Sequence, residues 1–151
     1  MNIILIPGLF APAGYLDPLR EVLEDAGHTC YGPGFEVNTL LSGEFQTLIE
    51  TLEEFDEPAV LVGHSAGGML AVQAAQAKHP AVAGVIGLGS SVVGLMELEV
   101  PHYEGRSLLG GLMVPLVGPD EVKVFPVGHS TLPLTPCVHE WVLDKLEEID
   151  A

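Results

Sequence analysis

The stretch Ala59-Val60-Leu61-Val62-Gly63-His64-Ser65-Ala66-Gly67-Gly68 decides how this chain is read. Residues 59–62 are wholly apolar, as expected of a strand buried on both faces of a parallel sheet. From Ser65 to Lys78 the run is rich in alanine, which predicts a helix able to pack close to that sheet, ended by Pro80. Between strand and helix stands the pattern G-x-S-x-G. A turn this sharp needs residues without bulk at 63 and 67, and it leaves the Ser65 hydroxyl exposed at the carboxyl edge of the sheet. Behind it the helix start offers unpaired N–H groups and the positive end of a dipole. Ser65 could merely cap the helix, with the glycines serving the turn, but the full strand–turn–helix context favours a nucleophile.

Working outward, short apolar runs alternate with amphipathic ones, the signature of βα units around a parallel sheet. Strands are expected at Asn2–Ile6, His28–Tyr31, Ala59–Val62, Val82–Leu88, Leu98–Tyr103 and Val122–Val127. Asp17-Pro18 reads as a helix cap and first turn, with Leu19, Val22, Leu23 and Ala26 on one face and Gly27 at the stop. A second helix follows Ser42 and buries Phe45, Leu48, Ile49, Leu52 and Phe55. The last starts at Thr135-Pro136 and buries Val138, Trp141, Val142, Leu146 and Ile149. Ser107–Val117 is apolar and glycine-rich without clear period. The fold class expected is α/β: a three-layer α/β/α sandwich on a mostly parallel sheet of about six strands, residues 1–151 forming one domain.

A nucleophilic serine needs a base. Gly128-His129 follows the last expected strand, so His129 leaves the same sheet edge as Ser65 if the strands are parallel. The order, serine first and histidine late before a final helix, is the one such sites use. Of the other histidines, His28 begins a strand, His79 precedes Pro80, His139 lies on the last helix, His102 falls in the less periodic region, and His64 reads as support for the turn. Charge developing on a substrate oxygen needs donors in place. The amide of Ala66, next after the nucleophile, is one; Leu9, in the loop Pro7-Gly8-Leu9-Phe10, supplies the other.

Ile4-Leu5-Ile6-Pro7-Gly8-Leu9, Val62-Gly63-His64-Ser65-Ala66-Gly67-Gly68 and Pro126-Val127-Gly128-His129-Ser130 together resemble the α/β-hydrolase superfamily, and within it the small lidless lipases and esterases. The resemblance implies a Ser-His-acid triad working on carboxylic esters through an acyl-enzyme, with no metal or organic cofactor. Many relatives have His-Gly where this chain has Pro7-Gly8, which leaves the backbone donor intact. The acid-bearing region is short. Gly118-Pro119-Asp120-Glu121 looks like a contracted form of it, which makes Asp120 the expected acid, with Glu121 beside it. A straight strand over Val122–Val127 would span about 20 Å and set Asp120 at the edge opposite His129. Glu104, at the end of the expected fifth strand, is the other carboxylate on offer, unless it is simply a solvated surface group.

The roughly 30 residues between the fourth and sixth strands leave no room for a large cap, so an open site for short or medium acyl esters is expected, with Leu108–Val117 as a small rim or a plain core strand. A thioesterase or acyltransferase would use the same residues, and a catalytically idle binding protein of this fold is the alternative of another class. Acidic residues outnumber basic ones 21 to 5, for a formal charge of −16, which repels phosphate backbones and argues against nucleic acid as a partner. No apolar run reaches the ~18 residues of a membrane span. Met1 leads straight into an apolar strand with no basic segment, from which a cytoplasmic protein is expected. Cys30 and Cys137 read as buried free thiols.

So acidic a surface repels itself until salt screens it. A surface of this kind resembles that of proteins adapted to high salt, so thermal unfolding followed from 0.1 M to molar salt should show the melting temperature rising; a flat or falling trend would remove that reading.

Overall fold

The computed structural model describes residues 1–12, 14–39, 43–77, 79–90, 97–108 and 118–150. Six strands form one sheet: β1 (Asn2–Ile6), β2 (Thr29–Tyr31), β3 (Ala59–His64), β4 (Val82–Leu88), β5 (His102–Ser107) and β6 (Glu121–Phe125). Their order is β2-β1-β3-β4-β5-β6, and every pairing is parallel. Among the described residues four helices complete the layers: α1 (Asp17–Asp25), α2 (Glu44–Glu53), α3 (Ala66–Gln76) and α4 (Pro136–Asp150). The expected start of α2 at Ser42, the end of the third helix at Lys78 and all of the Leu108–Val117 stretch after Leu108 lie outside the described residues.

Side chains alternate across the sheet and so divide the core in two. Ile3, Leu5, Val60, Val62, Ile86 and Leu88 face α1 and α4, where Leu19, Leu23, Val138, Val142 and Leu146 cover them. Ile4, Ile6, Leu61 and Val85 face α2 and α3, against Leu48, Leu52, Leu70, Ala71 and Ala74. The result is the expected three-layer α/β/α sandwich, all parallel, with no large cap among the described residues.

Four local expectations are corrected. The fifth strand begins at His102 rather than Leu98; Leu98 and Val100 instead pack against the core under α2 and α3. Polar His102 and Glu104 are buried in β5, and an apolar-pattern reading passes over such a strand. Strand β6 ends at Phe125, short of Val127, and as an edge strand leaves Val122 and Val124 exposed. Neither expected cap works as one: Asp17 is already inside α1, and the Thr135 hydroxyl donates to the Thr131 carbonyl at 2.7 Å. Cys137 is exposed because the buried stripe of α4 begins one residue later, at Val138. Cys30 is half-buried, and that burial pushes its thiol up to about 11.

The centre of the molecule tolerates no side chain at two of the elbow's glycines. A Cβ on Gly67 would overlap the Ile6 carbonyl, and one on Gly63 would overlap the backbone of Gly67. Gly67→Ala should therefore lower unfolding stability by about 3 kcal/mol or more, measured by urea denaturation. Gly27→Ala, at φ +96° with nothing within 4 Å of the added carbon, should cost about 1 kcal/mol. Equal losses at the two positions would contradict this account.

Candidate active site

At the end of β3 the chain reverses into α3 at Ser65, whose φ of 57° and ψ of −119° are unusual for a residue with a side chain. Its amide donates to the Leu88 carbonyl at 3.0 Å, tying the turn to the end of β4. Ala66 is the first residue of α3, so its N–H is one of the four that lack an acceptor within the helix. The loop after β1 runs directly over this turn. A Cβ on Gly8 would stand 3.2 Å from the Ser65 Cβ, and Leu9 shares its peptide with Gly8. Asn38, fully buried, fixes that loop: its side-chain amide donates to the Pro7 carbonyl at 3.1 Å, and its own carbonyl accepts from Phe10 N at 2.9 Å. Phe10 (φ 51°) and Ser65 are the non-glycine residues of positive φ among those described, and both sit at this edge.

His129 opens a short 3₁₀ turn, His129–Leu134, two residues after Val127. Its imidazole rests on bare backbone: a Cβ on Gly89 would come within 2.7 Å of the His129 Nδ1. The Ser65 amide is bonded to Leu88 and the His129 ring is seated on Gly89, so two consecutive residues at the end of β4 bring Ser65 and His129 to one edge. The His129 carbonyl accepts from Nε2 of His64 at 3.0 Å, with the two rings 5.0 Å apart. Tyr15 also stacks on His64, at 5.7 Å, and its hydroxyl donates to the Ser130 carbonyl. A carbonyl can only accept, so the His64 proton is on Nε2. Burial draws His64 down to about 4, and burial followed by the charge of Arg106 also lowers His129.

The carboxylates expected at this edge are elsewhere. Asp120 lies at the amino edge, where its Oδ2 accepts from the His102 amide at 2.9 Å and its own amide donates to the His102 carbonyl at 2.7 Å. All of β6 separates it from His129, and the strand keeps an unbroken register on β5 along its length. Glu121 accepts from Trp141 Nε1 at 2.9 Å and Lys145 Nζ at 2.8 Å, and Lys145 holds its carboxyl below the usual range. Glu104 is 1% exposed on the α3 side of the sheet, where one oxygen accepts from His102 Nε2 at 2.8 Å and from the Ser90 hydroxyl at 3.1 Å. Where β4 and β5 end beside His129 the charged group is a cation, Arg106, whose Nη1 donates to the Ser90 carbonyl at 2.9 Å. The runs 91–96 and 109–117 contain neither Asp nor Glu.

Sequence reading therefore places Ser65, Ala66, Leu9 and His129 at one edge and misplaces the acid. It gave no role to Tyr15, Asn38 or Arg106, and no spacing rule marks them, since each acts through a contact between segments distant in the chain. Among the described residues no three His, Cys, Asp or Glu side chains converge as metal ligands would, and no helix is long and apolar enough to cross a membrane.

No protein-family model and no curated protein sequence matches the chain. Solved structures do. A methylesterase from Arabidopsis is similar over 97% of this chain and 99% of its own, at 13% identity and a TM-score of 0.75. Mouse alpha/beta hydrolase domain-containing protein 10 is similar over 98% of this chain and 88% of its own, at 16% identity and 0.74. Tomato methylketone synthase I, solved with 2-tridecanone, is similar over 98% of both chains, at 13% identity and 0.76. The chain has the α/β-hydrolase fold; identities this low carry the fold alone.

His64 gives the site a pH signature. Unfolded, it takes a proton near its ordinary 6.5; folded, only near 4. The unfolded state therefore binds more protons between those values, and stability, complete above pH 6.5, is lost as pH falls through 4. At about 1.4 kcal/mol per pH unit the loss is of order 3 kcal/mol. Urea unfolding from pH 7 to 4 should show wild type losing that much more than His64→Gln; parallel curves would mean that His64 titrates normally.

Proposed function

We propose that the protein is a serine hydrolase of carboxylic esters. The observation that carries this reading is the strained Ser65 elbow with His129 seated on the neighbouring end of β4. The Ser65 Oγ attacks the acyl carbon while His129 Nε2 takes its proton. The amides of Leu9 and Ala66 hold the oxyanion. Collapse expels the alcohol, which receives the proton from His129, and leaves the acyl group on Ser65. Water, deprotonated by the same imidazole, then releases the acid.

The rim supports an apolar acyl or alcohol group. Leu9 is 47% exposed, Phe10 64%, Leu108 56% and Leu134 41%, and these sit on the loop after β1, at the end of β5 and just past His129. A small-molecule ester of short or medium chain suits so open an edge.

One observation favours a second reading, a binding protein without turnover. Arg106, not a carboxylate, is the charge that acts on His129, and a cation there opposes the imidazolium formed in each step.

A fluorophosphonate probe should label the folded wild type and fail to label Ser65→Ala, whose kcat on p-nitrophenyl esters should fall about 10³-fold or more. Folded wild type that stays unlabelled would favour the binding protein; preference for acyl-thioesters or for an alcohol acceptor over water would move the reading to a thioesterase or acyltransferase.

A further inference from the structure

In a triad a carboxylate grips the histidine by Nδ1 and fixes how the ring faces the serine. Here Nδ1 lies against the backbone of Gly89, while Asp120, Glu121 and Glu104 are bonded to other partners. Something else must fix His129, and two contacts do so through its main chain. His64 Nε2 donates to the carbonyl of residue 129, and the Tyr15 hydroxyl donates to the carbonyl of residue 130. The rings stand in sequence: Tyr15 against His64 at 26° between planes, then His64 against His129 at 33°. His129 thus has both the His64 ring and Gly89 as neighbours of its imidazole, with its main chain pinned at two successive carbonyls.

We propose that His64 and Tyr15 are the positioning residues of this site, holding His129 by its backbone in the role that a triad gives to a carboxylate. The proposal rests on the serine-hydrolase reading for its kinetic consequence and on geometry alone for its structural one. His64 suits the task because it comes with the nucleophile: it is the residue before Ser65, so one turn of backbone sets both the attacking hydroxyl and the donor that holds the base. Its buried Nδ1 has no hydrogen-bond partner, which leaves the carbonyl of His129 as the ring's one polar attachment.

Three variants separate the parts. His64→Phe keeps a ring and removes the donor; His64→Gln restores a donor without the ring; Tyr15→Phe removes one hydroxyl. A displacement of the base by about 1 Å is worth roughly 10²-fold in rate, so His64→Phe should lower kcat on a p-nitrophenyl ester by about that factor with KM within twofold. His64→Gln should recover to within about tenfold of wild type, and Tyr15→Phe should lose about tenfold. Each variant's urea midpoint shows whether it is folded. By NMR, the close approach of the His129 ring to the Gly89 α protons should be seen in wild type and lost in His64→Phe. Folded His64→Phe that keeps both that approach and its kcat overturns the proposal, as does His64→Gln falling as far as His64→Phe. If wild type resists the fluorophosphonate yet loses the ring contact in His64→Phe, the positioning stands and the hydrolase reading falls.

Discussion

Helix α3 lies so close to β1 that the Gly67 backbone touches the Ile6 carbonyl, with no room for even a methyl group between them. Much follows from that contact. It sets the depth at which α3 sits beneath the sheet edge, and Ser65, the residue on which the chain turns, inherits its conformation from it. It also fixes where the Pro7-Gly8 peptide crosses the turn, because that peptide is the direct continuation of Ile6. The alanines of α3 extend the same fit along the helix, where larger side chains would lift it from the sheet. Protein interiors at this density do not deform gradually, so the site's geometry is a property of the packing and not of its own few hydrogen bonds.

The electrostatics around His129 run against the usual arrangement. Burial and the Arg106 guanidinium both favour the neutral imidazole, which keeps it available as a base in mildly acidic solution and makes its cation a stronger acid. A neutral His64 beside it adds no further positive charge. The buried carboxylate of this region, Glu104, is committed to His102 and Ser90 on the α3 side. Removing either member of such a pair strands the other in a low dielectric, so it belongs to the fold's framework more than to its chemistry.

What could be read from the residues alone was whatever repeats or stands close in the chain. The apolar strand before Ser65, the alanine run after it and the glycines between them are contiguous, and the elbow emerged where expected. His129 was legible because a parallel sheet sends every strand's end to one edge. Strand β5 slipped by four residues because polar His102 and Glu104 are bonded to each other in the interior, where a pattern of apolar residues has nothing to register. The acid failed for another reason: Asp120 neighbours the last strand at its beginning, and nearness in the chain became a strand's length in space. Tyr15 and Asn38 bind backbone carbonyls of distant segments, contacts that leave no trace in spacing.

The strand order also has a bearing on truncation. Strands β1 to β4, with the first three helices, occupy residues 2–88 and make up four adjacent strands of the sheet, while much of the core on the α1 side comes from α4 and the segment before it. His129 follows β6, at the far end of that strand order, yet its ring meets Gly89 just past β4. A chain cut after β4 would carry Ser65 without His129, so the two residues meet only in a molecule whose sheet includes β5 and β6.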